Sequence, residues 1–223
     1  MKLIFALGGS IVHPDGIDEE YVHKFAKFAN ELAKKHKLGI VVGGGKLARR
    51  KILEAQVKGA NQGECDYIGI DASRYNASVV SQAMGITPKI PEGFKDARKM
   101  MDEKGLVIMG GTEPGHSTDA VAIILAEYSN ADIVFKVTNV AGVYDKDPKK
   151  YSDAKLLKTL SPEQLEKMVT GLSQEAGKYE LVDIVGVEVL KRSKLKMIAL
   201  DGHDLDNMKK AIEGKGFVGT IIQ

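Results

Sequence analysis

Three times in this chain a short apolar run ends on a glycine cluster: Lys2–Leu7 into Gly8-Gly9-Ser10, Leu38–Val42 into Gly43-Gly44-Gly45-Lys46, and Leu106–Met109 into Gly110-Gly111-Thr112. Glycine lets backbone N–H groups approach an anion with no side chain in the way, and a helix starting just beyond aims its partial positive charge at the same place. At the carboxyl ends of parallel strands such turns share one edge of the sheet, so three of them can surround one polyphosphate. Any one of these turns is equally well explained as a plain strand-to-helix connection. The Lys, Ser, Thr and Asp attached to all three point to a phosphate site.

The remaining elements alternate in kind. Tyr21, Val22, Phe25, Phe28, Ala29, Leu32 and Ala33 recur at helical spacing behind an Asp18 cap, and helices are expected through Leu47, Ile52 and Val57, over residues 65–84, 92–103 and 119–128, and after Ser161-Pro162-Glu163. Further helices are expected over residues 181–191 and 205–212. Strands are expected at residues 86–89, 133–137, 155–160, 195–200 and near 217–222. Helix–strand alternation of this kind implies an α/β fold, a three-layer αβα sandwich around a mostly parallel central sheet. The 223 residues, with no low-complexity linker and no internal repeat, are expected to form a single domain.

Charge and composition exclude several classes. With 32 basic against 30 acidic residues and no basic run interleaved with aromatics, nucleic acid is a poor partner. Cys65 is the only cysteine, which rules out an intramolecular disulfide and a cysteine-built zinc site and fits a reducing cytoplasm. No apolar run approaches the ~20 residues of a membrane span, and no secretory pattern opens the chain, so a cytoplasmic protein is expected.

Phosphoryl transfer needs two anionic oxygens held in line while cations and N–H dipoles absorb charge on the moving group. Lys46 and Arg49 lie three apart at the start of a helix, so both project from one face over the Gly43–Gly45 turn, as a phosphate clamp would. The spacing is not that of a Walker A loop, and the lone G-x-G is too weak for a dinucleotide fingerprint. The string Thr112-Glu113-Pro114-Gly115-His116-Ser117-Thr118 presents hydrogen-bonding groups ahead of a helix and suits a polar acceptor. His116 has no second histidine at ligand spacing, so no protein-built metal site is expected.

Taken together, Ala6-Leu7-Gly8-Gly9-Ser10, Gly43-Gly44-Gly45-Lys46-Leu47-Ala48-Arg49, the 110–119 string and Thr138-Asn139-Val140-Ala141-Gly142-Val143-Tyr144-Asp145-Lys146-Asp147-Pro148 resemble, in order and spacing, the archaeal type of uridylate kinase within the amino acid kinase superfamily. Residues 176–183 also look like that family's late helix. The resemblance spans nearly the whole chain. It implies transfer of the ATP γ-phosphoryl to UMP with Mg²⁺, UMP over an N-terminal lobe of about residues 1–130, ATP over a C-terminal lobe of about 131–223, and a homohexamer built from dimers.

Carried over residue by residue, the resemblance assigns Gly9, Ser10, Gly45 and Arg49 to the ATP phosphates and Thr138, Asn139, Tyr144 and Asp147 to the ATP nucleoside. Gly44, Asp66 and Thr112 through Thr118 fall to UMP, with Asp66 accepting from the ribose hydroxyls. Asp183 matches an aspartate that organises the catalytic cations. Three departures stand out: Ala6 replaces a lysine common in the superfamily, Ala141 an aspartate, and Ile184-Val185-Gly186 a Pro-Leu-Ala type run. Lys46 is the expected substitute for the missing cation, which makes Lys46, Arg49 and Asp183 the candidate catalytic residues. A nucleotide-binding relative without turnover, and a kinase for another phosphorylated acceptor such as isopentenyl phosphate, remain open.

Overall fold

The computed structural model describes residues 1–171 and 182–223. Within them β1 (Lys2–Leu7), β2 (Lys37–Val42), β3 (Leu106–Met109), β4 (Ile133–Thr138), β5 (Thr159–Leu160), β6 (Lys196–Asp201) and β7 (Thr220–Ile222) form one sheet in the order β3-β2-β1-β4-β6-β7-β5. Every neighbouring pair is parallel except β6 with β7. The helices are α1 (Gly9–Val12), α2 (Glu19–Ala33), α3 (Gly45–Val57), α4 (Gln62–Ala83), α5 (Phe94–Lys104), α6 (Thr118–Ser129), α7 (Pro162–Gly171), α8 (Ile184–Ser193) and α9 (Leu205–Ile212).

Side chains alternate across a strand, and that alternation builds the two apolar layers. Leu3, Phe5 and Leu7 of β1 face Val22 and Phe25 of α2, Val80 of α4 and Met208 of α9. Ile4 and Ala6 face the other way, onto Met101 of α5, Ile123 of α6, Leu165 of α7 and Leu190 of α8. Strand β4 repeats the pattern, with Phe135 and Val137 in the first layer and Val134 in the second. By the same parity Lys136 faces the second layer, in register with Ala6. Phe5 stacks on Phe135 with ring centroids 5.2 Å apart and meets Phe25 edge-on at 6.3 Å.

Local chemistry sets the helix starts. Asp18 Oδ1 accepts from Tyr21 N at 2.9 Å, Asn61 and Glu64 close a reciprocal capping box on α4, and Asp204 caps α9 through Asn207 N. The helices expected at residues 92–103, 119–128 and 205–212 are present with ends shifted by at most two residues.

Two strand expectations need correction. Residues 86–89 form no strand: β2 pairs directly with β3, Ile86 N–H is spent on Ser81 O at 3.0 Å closing α4, and Pro88 has no N–H to give a ladder. Of residues 155–160 only Thr159–Leu160 joins the sheet. Leu156 instead makes an antiparallel bridge with Tyr144, which pins the polar loop after β4. The resemblance of residues 176–183 to a late helix falls mostly outside the described residues. The helix expected from residue 181 begins at Ile184, capped by Asp183.

Candidate active site

The first two glycine turns interlock at the carboxyl edge of the sheet. A Cβ added at Gly9 would lie 2.3 Å from Gly43 O and from Gly45 N, and one at Gly45, whose φ is +62°, would lie 2.2 Å from Gly9 O. Only glycine allows this approach. Gly8 N donates to Val137 O at 2.9 Å, tying the first turn to β4, and Gly43 N donates to Leu7 O at 2.9 Å, tying the second to β1. From below, the buried Asn76 of α4 donates to Gly43 O at 2.8 Å and to Gly44 O at 3.2 Å.

Above these turns lies a cleft of about 830 Å³, large enough for a nucleotide. It is lined by Gly9, Ser10, Gly44, Gly45 and Arg49, by Thr138, Asn139 and Asp147, by Ser117, Thr118 and Asp119 at the start of α6, and by Asp183 at the start of α8. The N-termini of α3, α6 and α8 therefore converge on it, an arrangement that favours an anion.

Asp183 joins two of these helix starts. Its Oδ1 accepts from Gly186 N at 2.8 Å and its Oδ2 from Ser117 N at 2.5 Å, so one carboxylate caps α8 and fixes the first turn of α6. Gly186 fits here because a Cβ would meet Ile123 of α6 at 3.1 Å and Val182 at 2.6 Å; the unusual Ile184-Val185-Gly186 run thus brings α8 close against α6.

The 110–116 loop lies outside the lining of the cleft. Arg74 of α4 donates to Gly111 O at 3.1 Å and to Thr112 O at 3.3 Å, and Ser73 Oγ accepts from Gly111 N at 2.7 Å. Asp66 Oδ2 accepts from Gly115 N at 3.0 Å and its Oδ1 from Gln62 at 3.2 Å. Thr112 and His116 meet at 3.3 Å, while Glu113 and Gly115 are exposed. Asp66 and the 112–116 loop therefore form one polar group beside the cleft, continuous with it through Ser117 and Thr118. In the loop after β4, Asp147 Oδ1 accepts from Lys149 N at 2.9 Å, Lys149 Nζ donates to Asn139 Oδ1 at 3.2 Å, and Tyr144 stands back from the cleft in its bridge to Leu156.

The cations fall differently from the sequence expectation. Lys46 is 54% exposed at its side chain and pairs with Asp15 at 2.7 Å, outside the cleft lining, whereas Arg49 lines it. Lys136, which no motif flagged, is 9% exposed, lines the cleft, and donates to Asp119 Oδ2 at 2.5 Å. The signal for it was present: a lysine inside the apolar run Ile133-Val134-Phe135-Lys136-Val137 costs burial energy that a valine would not. Asn76, Arg74 and Asp119 were likewise missed. A polar residue on the buried face of a long helix was the clue to Asn76.

Comparison with known proteins converges on one family. The model of the amino acid kinase family matches residues 1–198. The uridylate kinase of Methanobrevibacter smithii is 40% identical over 224 residues, spanning all of this chain and 99% of that one. The uridylate kinase of Thermoplasma volcanium is 42% identical over 223 residues, spanning all of this chain and 97% of its own length. The crystal structure of uridylate kinase from Archaeoglobus fulgidus superposes over the full length of both chains with a TM-score of 0.88 and 39% identity. A UMP kinase structure from Ureaplasma parvum, 18% identical with a TM-score of 0.79 over all of this chain and 98% of that one, shares the fold.

Proposed function

The chain belongs to the amino acid kinase family, and from that premise we propose that it transfers the γ-phosphoryl of ATP to UMP, giving UDP and ADP. The observation that carries this reading is the cleft itself. Two interlocked glycine turns, three helix N-termini and the cations Arg49, Lys136 and Lys149 face one space of nucleotide size. Full-length relatives named uridylate kinase supply the acceptor.

In this reading Gly9, Ser10, Gly45 and Arg49 hold the ATP phosphates, and Thr138, Asn139 and Asp147 hold the nucleoside, with Tyr144 supporting their loop from behind through its bridge to Leu156. Gly44 lies between donor and acceptor phosphates. Asp66 and residues 112–118 receive UMP, the carboxylate keeping lone pairs for the ribose diol beyond those spent on Gly115 and Gln62. The acceptor-side lobe takes in about residues 1–130 and the donor-side lobe the rest. Cytoplasmic placement and a homohexamer built from dimers belong to the same proposal. Among the described residues, no helix is long and apolar enough to cross a membrane.

Among the described residues no three His, Cys, Asp or Glu side chains gather into a metal cage. What is present, the Asp183 carboxylate in the lining of the cleft, fits Mg²⁺ carried in on nucleotide phosphates, because that ion keeps its waters and takes only one or two protein carboxylates. Bound there, it supplies charge neutralisation at phosphate oxygens. The chain's own groups align the two phosphates and screen them from water. A coupled assay of ADP release across UMP, CMP, AMP and isopentenyl phosphate tests the proposal: UMP is expected to be preferred. Comparable turnover of AMP, faster turnover of isopentenyl phosphate, or nucleotide binding with no turnover at all would refute it.

A further inference from the structure

Position 6 lacks the side chain that could bring positive charge to the phosphates from β1, and Lys46 is turned outward onto Asp15. We propose that Lys136 is the catalytic cation of this enzyme, placed on the neighbouring strand β4 and held by Asp119 so that its ammonium meets the phosphoryl group in transit. The inference rests on the kinase reading above.

Four observations carry it. Lys136 is the register partner of Ala6 and projects from the same sheet face, so charge delivered from either position enters the same space. It is one residue from Val137, whose carbonyl anchors the first glycine turn, so the backbone that carries the lysine also carries the phosphate loop. Among the described residues, it is the buried one of the cations lining the cleft, Arg49 and Lys149 being exposed. A cation shielded from water acts far more strongly on developing charge than one in solvent.

The fourth observation is the pairing. Burying an ion pair between a strand and a helix is weakly stabilising at best, and an apolar pair of similar volume serves a core as well or better. Here the pair is open to the cleft, and the carboxylate belongs to Asp119, the residue after Thr118 at the start of α6. With no ligand the two charges cancel; arriving phosphates add negative charge, and the ammonium has donors beyond the one given to Asp119. Asp119 is thus a positioning residue. The step is the ordinary one: an oxygen of the UMP phosphate forms the new P–O bond as the bond from the γ-phosphorus to the β–γ bridging oxygen breaks, with ADP leaving. Lys136 gives up no proton and offsets charge on the equatorial oxygens.

The test uses the full chain and three variants: Lys136→Met, which keeps length and packing, Lys136→Arg, and Lys136→Met with Asp119→Asn, which removes the carboxylate left unpaired. Steady-state kinetics with ATP and UMP are read beside thermal unfolding. Lys136→Met is expected to lower kcat by about 10²–10³-fold while KM for UMP moves by less than about threefold. Lys136→Arg is expected to recover at least about tenfold of that loss, as the same charge on a different frame would. The double variant is expected to regain stability without regaining rate. A Lys136→Met protein within about threefold of the native kcat, or a double variant whose rate returns with its stability, makes the pair structural and overturns the proposal. Absence of turnover in the unaltered chain would instead overturn the kinase reading, and the role of Lys136 with it.

Discussion

Replacing Gly45 by alanine probes the contact on which the cleft is built. The new Cβ would sit 2.2 Å from Gly9 O and 2.5 Å from Gly9 C, so the two turns must part by roughly 1 Å to reach ordinary van der Waals separation. Holding alanine at φ +62° adds roughly 1–2 kcal/mol, and relief of the overlap about 1–3 kcal/mol more. A total of roughly 2–5 kcal/mol corresponds to a fall in Tm of about 4–20 °C for a chain of this size. Because a displacement of about 1 Å at reacting groups costs on the order of 10²-fold in rate, kcat/KM is expected to fall at least that far. Gly59→Ala is the control: its φ is +91° with nothing within 4 Å of the added Cβ, so it carries the backbone strain without the overlap. Differential scanning fluorimetry and the coupled assay on both variants separate strain from displacement. Gly45→Ala matching Gly59→Ala in both Tm and kcat/KM would refute the reasoning.

Much of this architecture was legible because the signals are local. The strand-to-glycine grammar located β1, β2 and β3 and the edge they share, and the Asp18 cap and helical spacing located α2. What failed was whatever depended on neighbours distant in sequence. Residues 86–89 form no strand although β3 leaves one sheet edge open, because Ile86 N–H is spent closing α4 and Pro88 has no N–H to give a ladder. Helical spacing placed Lys46 and Arg49 on one face, yet a helix face is broad, and Asp15 from the loop before α2 draws Lys46 to the rim. Lys136 is conspicuous in its apolar strand, but its partner Asp119, seventeen residues earlier, is visible only in the packing of α6 on β4. Asp183 was expected as an organiser of cations, and its bonds to Ser117 and Gly186 give it a second task that motif matching does not convey. A phosphate site was legible from the turns and the kinase reading from the resemblance of the motifs; the placement of the cation depended on packing between strand and helix.

Three further predictions follow from placements already described. Lys46→Ala is expected to leave kcat within about threefold, because the ammonium is committed to Asp15 at the surface; a loss of about 10²-fold would restore it as a phosphate ligand. Asp66→Ala is expected to weaken UMP binding by roughly 1–3 kcal/mol with ATP binding barely changed, measured by calorimetry, and equal losses for both nucleotides would make Asp66 a purely structural tether to Gly115. The last concerns pH and His36, whose Nδ1 is buried with no hydrogen-bond partner and whose pKa is lowered first by burial and then by the N-terminus and Lys35. The folded chain thus binds the proton less well than the unfolded chain does. Stability conferred by a neutral His36 is complete above the ordinary histidine value of about 6.5, and it is lost as the pH falls below that value, because the unfolded state protonates first. Denaturant unfolding is therefore expected to show stability falling as the pH drops from about 7 to about 5.5, and His36→Gln is expected to flatten that slope. An unchanged slope in His36→Gln would assign the pH dependence to other groups.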